Sequence, residues 1–98
     1  MISVQVSYRV DPEFVQQNIV NINKFLSDFK LMKGFNYSVF LKSDQCTFVH
    51  MSEYENEDIQ QQVLNVPSFL EFQRQRDQSG LNDSHTVEML TKIGSSIA

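Results

Sequence analysis

The chain contains no tryptophan and one cysteine, Cys46. A single thiol cannot close an internal disulfide, so packing alone must hold the fold, as suits a reducing cytosol; a cytoplasmic location is expected. Cys46 has no cation or second thiol beside it in sequence, which points to an inert, half-buried thiol. The three glycines form no phosphate-cradling loop, and there is no CxxC pair and no nucleophile elbow. Positive charge is also short. Eight Lys and Arg residues are scattered against twelve Asp and Glu, for a net charge of −4. That leaves no basic footprint, so neither nucleic acid nor an anionic membrane surface is an expected partner. No apolar run approaches the roughly 18 residues of a membrane span, and MISVQVSYRV lacks the basic-then-apolar order of a signal peptide. With 41% hydrophobic residues in 98, the chain suffices for one domain with its own core.

The pattern along the chain is regular. Ile2, Val4, Val6, Tyr8 and Val10 alternate with Ser3, Gln5, Ser7 and Arg9, the period of two of a strand with one apolar face. Asp11-Pro12-Glu13 supplies an N-cap, a first-turn proline and a first-turn acid. Val15, Ile19, Ile22, Leu26 and Phe29, widened by Phe14 and Phe25, then form the stripe of an amphipathic helix of about five turns. Gln16, Gln17, Asn21 and Lys24 are expected to face water. Gly34 stops that helix and opens a second strand in which Phe35, Tyr37, Val39 and Leu41 share a face. Ser43-Asp44-Gln45 is a polar turn into an antiparallel third strand. There Cys46, Phe48, His50, Ser52 and Tyr54 lie on one face, with Thr47, Val49, Met51 and Glu53 on the other. Asn56 caps a helix starting at Glu57-Asp58, which Pro67 should break or restart. Phe69 and Phe72 mark the apolar edge of the second piece, and Gln60 to Gln62, Gln73 and Gln75 suit a solvated face. Asp77 to Ser84 is turn-rich. Val87, Met89 and Ile93 alternate with Glu88 and Lys92 in a fourth strand, and Gly94 to Ala98 is expected to be a flexible tail.

The order β-α-β-β-α-β predicts an α+β, ferredoxin-like domain over residues 1 to 93, with a four-stranded antiparallel sheet and both helices on one face. The covered face is expected to hold Val4, Val6, Tyr8, Tyr37, Val39, Phe48, Val87 and Met89. The helix-free face carries Ser3, Gln5, Ser7, Arg9 and their polar neighbours, but also Phe40, Val49, Met51 and Leu90. These four are either scattered surface hydrophobes or the face of a two-fold homodimer packed sheet on sheet.

In outline the chain resembles the dimeric α+β barrel superfamily, and within it the antibiotic biosynthesis monooxygenase-like domains. The likeness lies in Val10-Asp11-Pro12 before a long helix, Gly34 opening the second strand, and Tyr54 followed by Glu55-Asn56-Glu57-Asp58-Ile59. Pro67-Ser68-Phe69 completes it. The family's glutamate position falls on Ser52 and its helix histidine on Val63. The heme-degrading branch uses an asparagine, a tryptophan and a histidine where this chain has Val6, Tyr54 and Gln73, so heme degradation is disfavoured.

The resemblance implies a homodimer whose monomers bind a small aromatic or apolar molecule between helices and sheet. It also implies attack by oxygen after hydrogen bonding and deprotonation, with no metal, flavin or other cofactor. Such chemistry needs a base or hydrogen-bonding group in a dry cavity. His50 is the candidate catalytic residue, and Tyr8, Tyr37, Tyr54, Phe48 and Phe69 are the candidate substrate-binding residues. The competing possibilities are a core histidine bonded to a hydroxyl or carbonyl, tyrosines that only fill the core, and a non-catalytic ligand-binding or interaction module. His85 is expected to be a solvated surface residue. His50, His85 and Glu53 make a poor metal set, because Glu53 points away from His50.

Overall fold

A computed structural model of the chain describes residues 1–79 and 84–97. Four strands run β1 (Ile2–Arg9), β2 (Phe35–Leu41), β3 (Thr47–Tyr54) and β4 (Thr86–Leu90), with helices α1 (Val15–Phe29), α2 (Glu57–Leu64) and α3 (Pro67–Gln78) between them. The sheet is antiparallel in the order β2-β3-β1-β4. This is the expected ferredoxin-like arrangement, with the second helix divided in two at Pro67. Pro67 sits at the first position of α3, where its missing N–H breaks no helical bond.

Local chemistry sets most element ends. Asp11 accepts from the Glu13 backbone at 3.0 Å and opens a 3-10 turn, Pro12–Phe14, ahead of α1. Asn56 caps α2 by accepting from the Ile59 backbone at 2.9 Å. In the β2–β3 hairpin, Asp44 accepts from the backbones of Cys46 (2.9 Å) and Thr47 (2.8 Å). Strand β4 stops at Leu90 instead of continuing to Ile93, because its partner runs out: Leu90 already pairs with Ser3, near the beginning of β1. Residues 91–97 are exposed and have no regular structure. The expected turn-rich stretch is helical through Gln78, and residues 80–83 lie outside the described residues.

The core lies between the helices and one face of the sheet, built on Val4, Tyr8, Phe25, Phe29, Phe48, Phe69 and Phe72. Three burial expectations change. Asn21 is 3% exposed rather than solvated: it accepts from Gln17 at 3.0 Å and donates to Gln75 at 2.7 Å, a polar seam joining α1 to α3. Ser3, on the helix-free face, is buried and donates to Glu53, and segment 91–95 lines a depression over it. Val87 and Met89 lie on the helix side, opposite Val6 and Val4, yet are 58% and 68% exposed. Parity gave their face correctly, but the helices stop short of the edge strand, and the gap opens a cleft.

Gly34 has φ +93°, and a Cβ there would lie 3.1 Å from Ile59 Cδ1 on α2. Its carbonyl accepts from the Glu55 backbone at 2.9 Å, which fixes the start of β2 against the end of β3. The Gly34→Ala variant should lose about 1–2 kcal/mol through the left-handed backbone alone, and Tm should fall by about 4–8 °C per kcal/mol. An unchanged calorimetric Tm would remove this constraint.

Candidate functional site

The strand register places three polar rings side by side. Tyr8 on β1 pairs with Phe48, two residues before His50; Tyr37 on β2 pairs with Ser52, two residues after it. Both tyrosines are therefore diagonal neighbours of His50 on the same face, within reach of long side chains. The Tyr8 hydroxyl lies 2.8 Å from His50 Nε2, and the Tyr37 hydroxyl lies 2.7 Å from Nδ1. Behind them, Asn18 of α1 donates from Nδ2 to the Tyr8 hydroxyl at 2.9 Å. His50 is 2% exposed, with Phe25 and Phe72 packed around it at ring separations of 6.1 and 5.4 Å.

Burial drives the His50 imidazole down to about 3, and the positive charges of Arg76 and His85 push the same way. It is neutral at physiological pH, with one nitrogen donating and the other accepting. With Asn18 Nδ2 donating to Tyr8, the tautomer that keeps the buried Tyr8 proton paired directs it to Nε2. Nδ1 then carries the imidazole proton and gives it to Tyr37. The reverse polarity would leave the Tyr8 proton without an acceptor among the described residues. The chain of bonds thus ends on the Tyr37 hydroxyl, whose own proton is directed away from His50. Burial raises the Tyr37 phenol well above its ordinary range, with Tyr54 and Tyr8 adding to the effect and Arg76 opposing it. Tyr8 is raised mainly by burial, against the Asn18 bond and Arg76. Both phenols stay protonated at neutral pH.

Tyr37 and His50 form the floor of a cleft of about 220 Å³ between the sheet and α2–α3. Val4, Val6, Val87 and Met89 form the sheet wall, while Leu64, Phe69 and Phe72 come from the helices. Gln60, Gln73, Arg76 and His85 add polar groups. The Arg76 guanidinium lies 5.5 Å from the centroids of both Tyr8 and Phe72, a stacked position that favours cation–π attraction. Asp77 accepts from Arg76 Nε and Nη2 at 3.3 and 3.2 Å, with its carboxylate side 60% exposed.

No protein-family model matches this sequence, and no curated protein sequence matches it. Solved structures do. A crystal structure of an antibiotic biosynthesis monooxygenase superposes with a TM-score of 0.83 at 12% identity, covering 96% of this chain and 100% of the other. A candidate antibiotic biosynthesis monooxygenase of Nitrosomonas europaea gives 0.83 at 9% identity, over 96% of this chain and 100% of its own. The Deinococcus radiodurans counterpart gives 0.78 at 13% identity, over 100% and 97%. The chain has the antibiotic biosynthesis monooxygenase fold. At these identities the likeness is one of fold alone.

Within that fold, His50, Tyr37, Tyr54 and Phe69 line the cleft. Tyr8 stands behind His50, stacked on Phe48 at 5.7 Å, and Phe48 faces a separate shallow groove with Ile19 and Leu26. His85 is exposed but forms part of the cleft wall, edge-on to Tyr8 at 6.4 Å. Gln60 and Gln73, expected on a solvated face, are half-buried in the cleft. Asn18 and Arg76 were not singled out by the sequence pattern. Asn18 sits three residues after Val15 on the buried stripe, and Arg76 lies four after Phe72, so i, i+3 and i, i+4 spacing is the signal that could have found both. Among the described residues, no three His, Cys, Asp or Glu side chains are grouped to hold a metal ion.

The neutral imidazole has a measurable consequence. Between 6.5 and about 3 the unfolded chain binds a proton on His50 that the folded chain does not, so stability is full above 6.5 and is lost as pH falls. The slope approaches about 1.4 kcal/mol per pH unit. Urea unfolding at about pH 7, 6 and 5 should show this slope as the difference between wild type and His50→Gln, since His85 contributes equally to both. Parallel pH profiles would show that His50 is not held neutral.

Proposed function

We propose that this protein is a homodimer that binds a small aromatic or apolar molecule in the α2–α3 cleft and oxidises it with molecular oxygen, without metal, flavin or heme. The observation that carries this is the hydrogen-bonded set Asn18–Tyr8–His50–Tyr37, which ends at the cleft with a fixed donor. His50 acts by orienting Tyr37, since both of its ring nitrogens are engaged and its imidazole is a weak base in this setting. Tyr37 donates to a substrate oxygen, and that bond strengthens as negative charge gathers there. The electron-rich carbon beside this oxygen combines with O2. A ring CH2 becomes C=O with one oxygen atom, and its two hydrogens leave with the other as water. Tyr54 and Phe69 hold the ring; Tyr8 and Phe48 support the floor from behind. Fold likeness to proteins named as monooxygenases, together with the resemblance read in the sequence, supports the reaction class.

A second reading, a protein that holds such a molecule without changing it, is favoured by the weak basicity of His50. Oxygen-electrode assays with dihydroxynaphthalenes separate the two. Oxygen uptake that falls roughly 100-fold or more in Tyr37→Phe, with a smaller effect in Phe48→Leu, is the expected outcome. Binding without uptake leaves the holding function. A thermal-shift screen of phenols, quinones, flavin and heme against wild type and His50→Ala covers both. If no compound raises Tm, the cleft is not a small-molecule site.

The dimer uses the helix-free face. Phe40 is 57% exposed there, opposite Val49 on β3, and Val49, Met51 and Leu90 are half-buried on the same face. Ile93, 95% exposed, borders a 440 Å³ depression on the same face with Met51 and Leu90. A second copy would cover this apolar area. Light scattering at micromolar concentration should give twice the 11.4 kDa chain mass, and Met51→Lys should shift the mass toward one chain. A clean monomer for wild type sinks the dimer.

A further inference from the structure

The charges around the cleft do not follow those of the whole chain. The protein carries a net charge of −4, yet among the described residues lining the cleft the ionisable groups other than phenols are Arg76, His50 and His85, with no carboxylate. His50 is neutral. The fixed charge at this site is therefore the Arg76 guanidinium, held over the faces of Tyr8 and Phe72. Its Nε and Nη2 bind Asp77 on the outward side, and Nη1 has no hydrogen bond to a described residue. The two N–H bonds of Nη1 are thus the charged donors left for an ionised oxygen. The Tyr37 hydroxyl is a second donor in the same cleft, and His50 beneath it has both ring nitrogens engaged.

We propose that the ligand of this cleft is a planar organic anion of one or two rings, whose ionised oxygen, an enolate, phenolate or carboxylate, is bound by Arg76 and Tyr37. This rests on the small-molecule reading of the cleft above and names its substrate class. The ring size follows from the 220 Å³ volume, below the about 300–1,000 Å³ of sites for larger ligands. Ionisation of the ligand in solution removes the need for a protein base. Val4, Val6, Met89 and Phe69 provide the apolar wall for the ring, while the charged edge turns toward the α3 terminus.

Matched pairs test this directly. 2-Hydroxy-1,4-naphthoquinone, ionised at neutral pH, is compared with its 2-methoxy ether, and 1-naphthoate with 1-naphthamide, by calorimetric titration of the full chain. The ionised member of at least one pair should bind roughly tenfold or more tighter, the scale of a charge-assisted hydrogen bond. Which pair discriminates tells enolate from carboxylate. Arg76→Met should bring the members of that pair within about twofold, while Arg76→Lys retains part of the preference. Should Arg76→Met not fold, added salt serves instead: it should weaken the ionised ligand and leave the neutral one unchanged. Equal binding of charged and neutral members by wild type overturns the anion proposal and leaves the small-molecule reading standing. A preference that survives in folded Arg76→Met overturns the role of Arg76. Failure of all four compounds to bind, with no hit in the thermal-shift screen, overturns both readings.

Discussion

The buried imidazole of His50 is the constraint on which the other side chains converge. A polar ring at the centre of a sheet's covered face is tolerable only if both nitrogens are paired, since an unpaired buried donor or acceptor costs about 1–3 kcal/mol. The pairing comes from two strands, with Tyr8 on β1 and Tyr37 on β2. Two helices complete the shell, Asn18 and Phe25 from α1 and Phe72 from α3. A cation stacked on Tyr8 opposes any charge on the ring. Neutrality is thus fixed by burial and by Arg76 together. The floor of the cleft offers an oriented donor rather than a base.

Most of the fold was legible because a period of two and a period of about 3.6 survive in this sequence with few interruptions. Strand parity alone put Tyr8, Tyr37 and His50 on one face, and Pro67 announced the divided helix. The missed features share one physical character: they depend on what lies across a gap in space. Parity assigns Val87 and Met89 to a face but says nothing of whether a helix reaches that far. The end of β4 depends on where β1 begins. Asn18 and Asn21 interrupt an apolar stripe, and in sequence a polar interruption looks like surface; only the facing Tyr8 and Gln75 make them core residues. Arg76 looked like one of several charges on a polar helix end, and its stacking on two rings comes from the tertiary fold.

Fold and site separate cleanly in this molecule. Structures at 9 to 13% identity share the architecture, as expected if the pattern of apolar positions dictates topology and individual polar residues do not. The positions where the family resemblance leads one to look for a glutamate and a histidine have become structural: Ser52 is 7% exposed and donates to the Val4 carbonyl, and Val63 is fully buried. Beside Ser52, the polar groups of the cleft come from His50, Tyr37, Tyr54, Gln60, Gln73, Arg76 and His85. The same scaffold therefore carries a differently built interior.

Asn18 shows the cost of that interior. Its Oδ1 is buried with no hydrogen-bond partner among the described residues, although its Nδ2 is well used on Tyr8. An alanine or leucine there would avoid the orphan acceptor, yet it would also withdraw the donor that fixes the Tyr8 proton on His50. Without that donor, Tyr8 could either give its proton to Nε2 or accept one from it, and the imidazole could take either tautomer. The Tyr37 proton would then point to the cleft for only part of the time. The unpaired acceptor thus accompanies a donor that ties Tyr8 to His50, and His50 itself is buried and bonded to two hydroxyls, as the core-histidine alternative also expects.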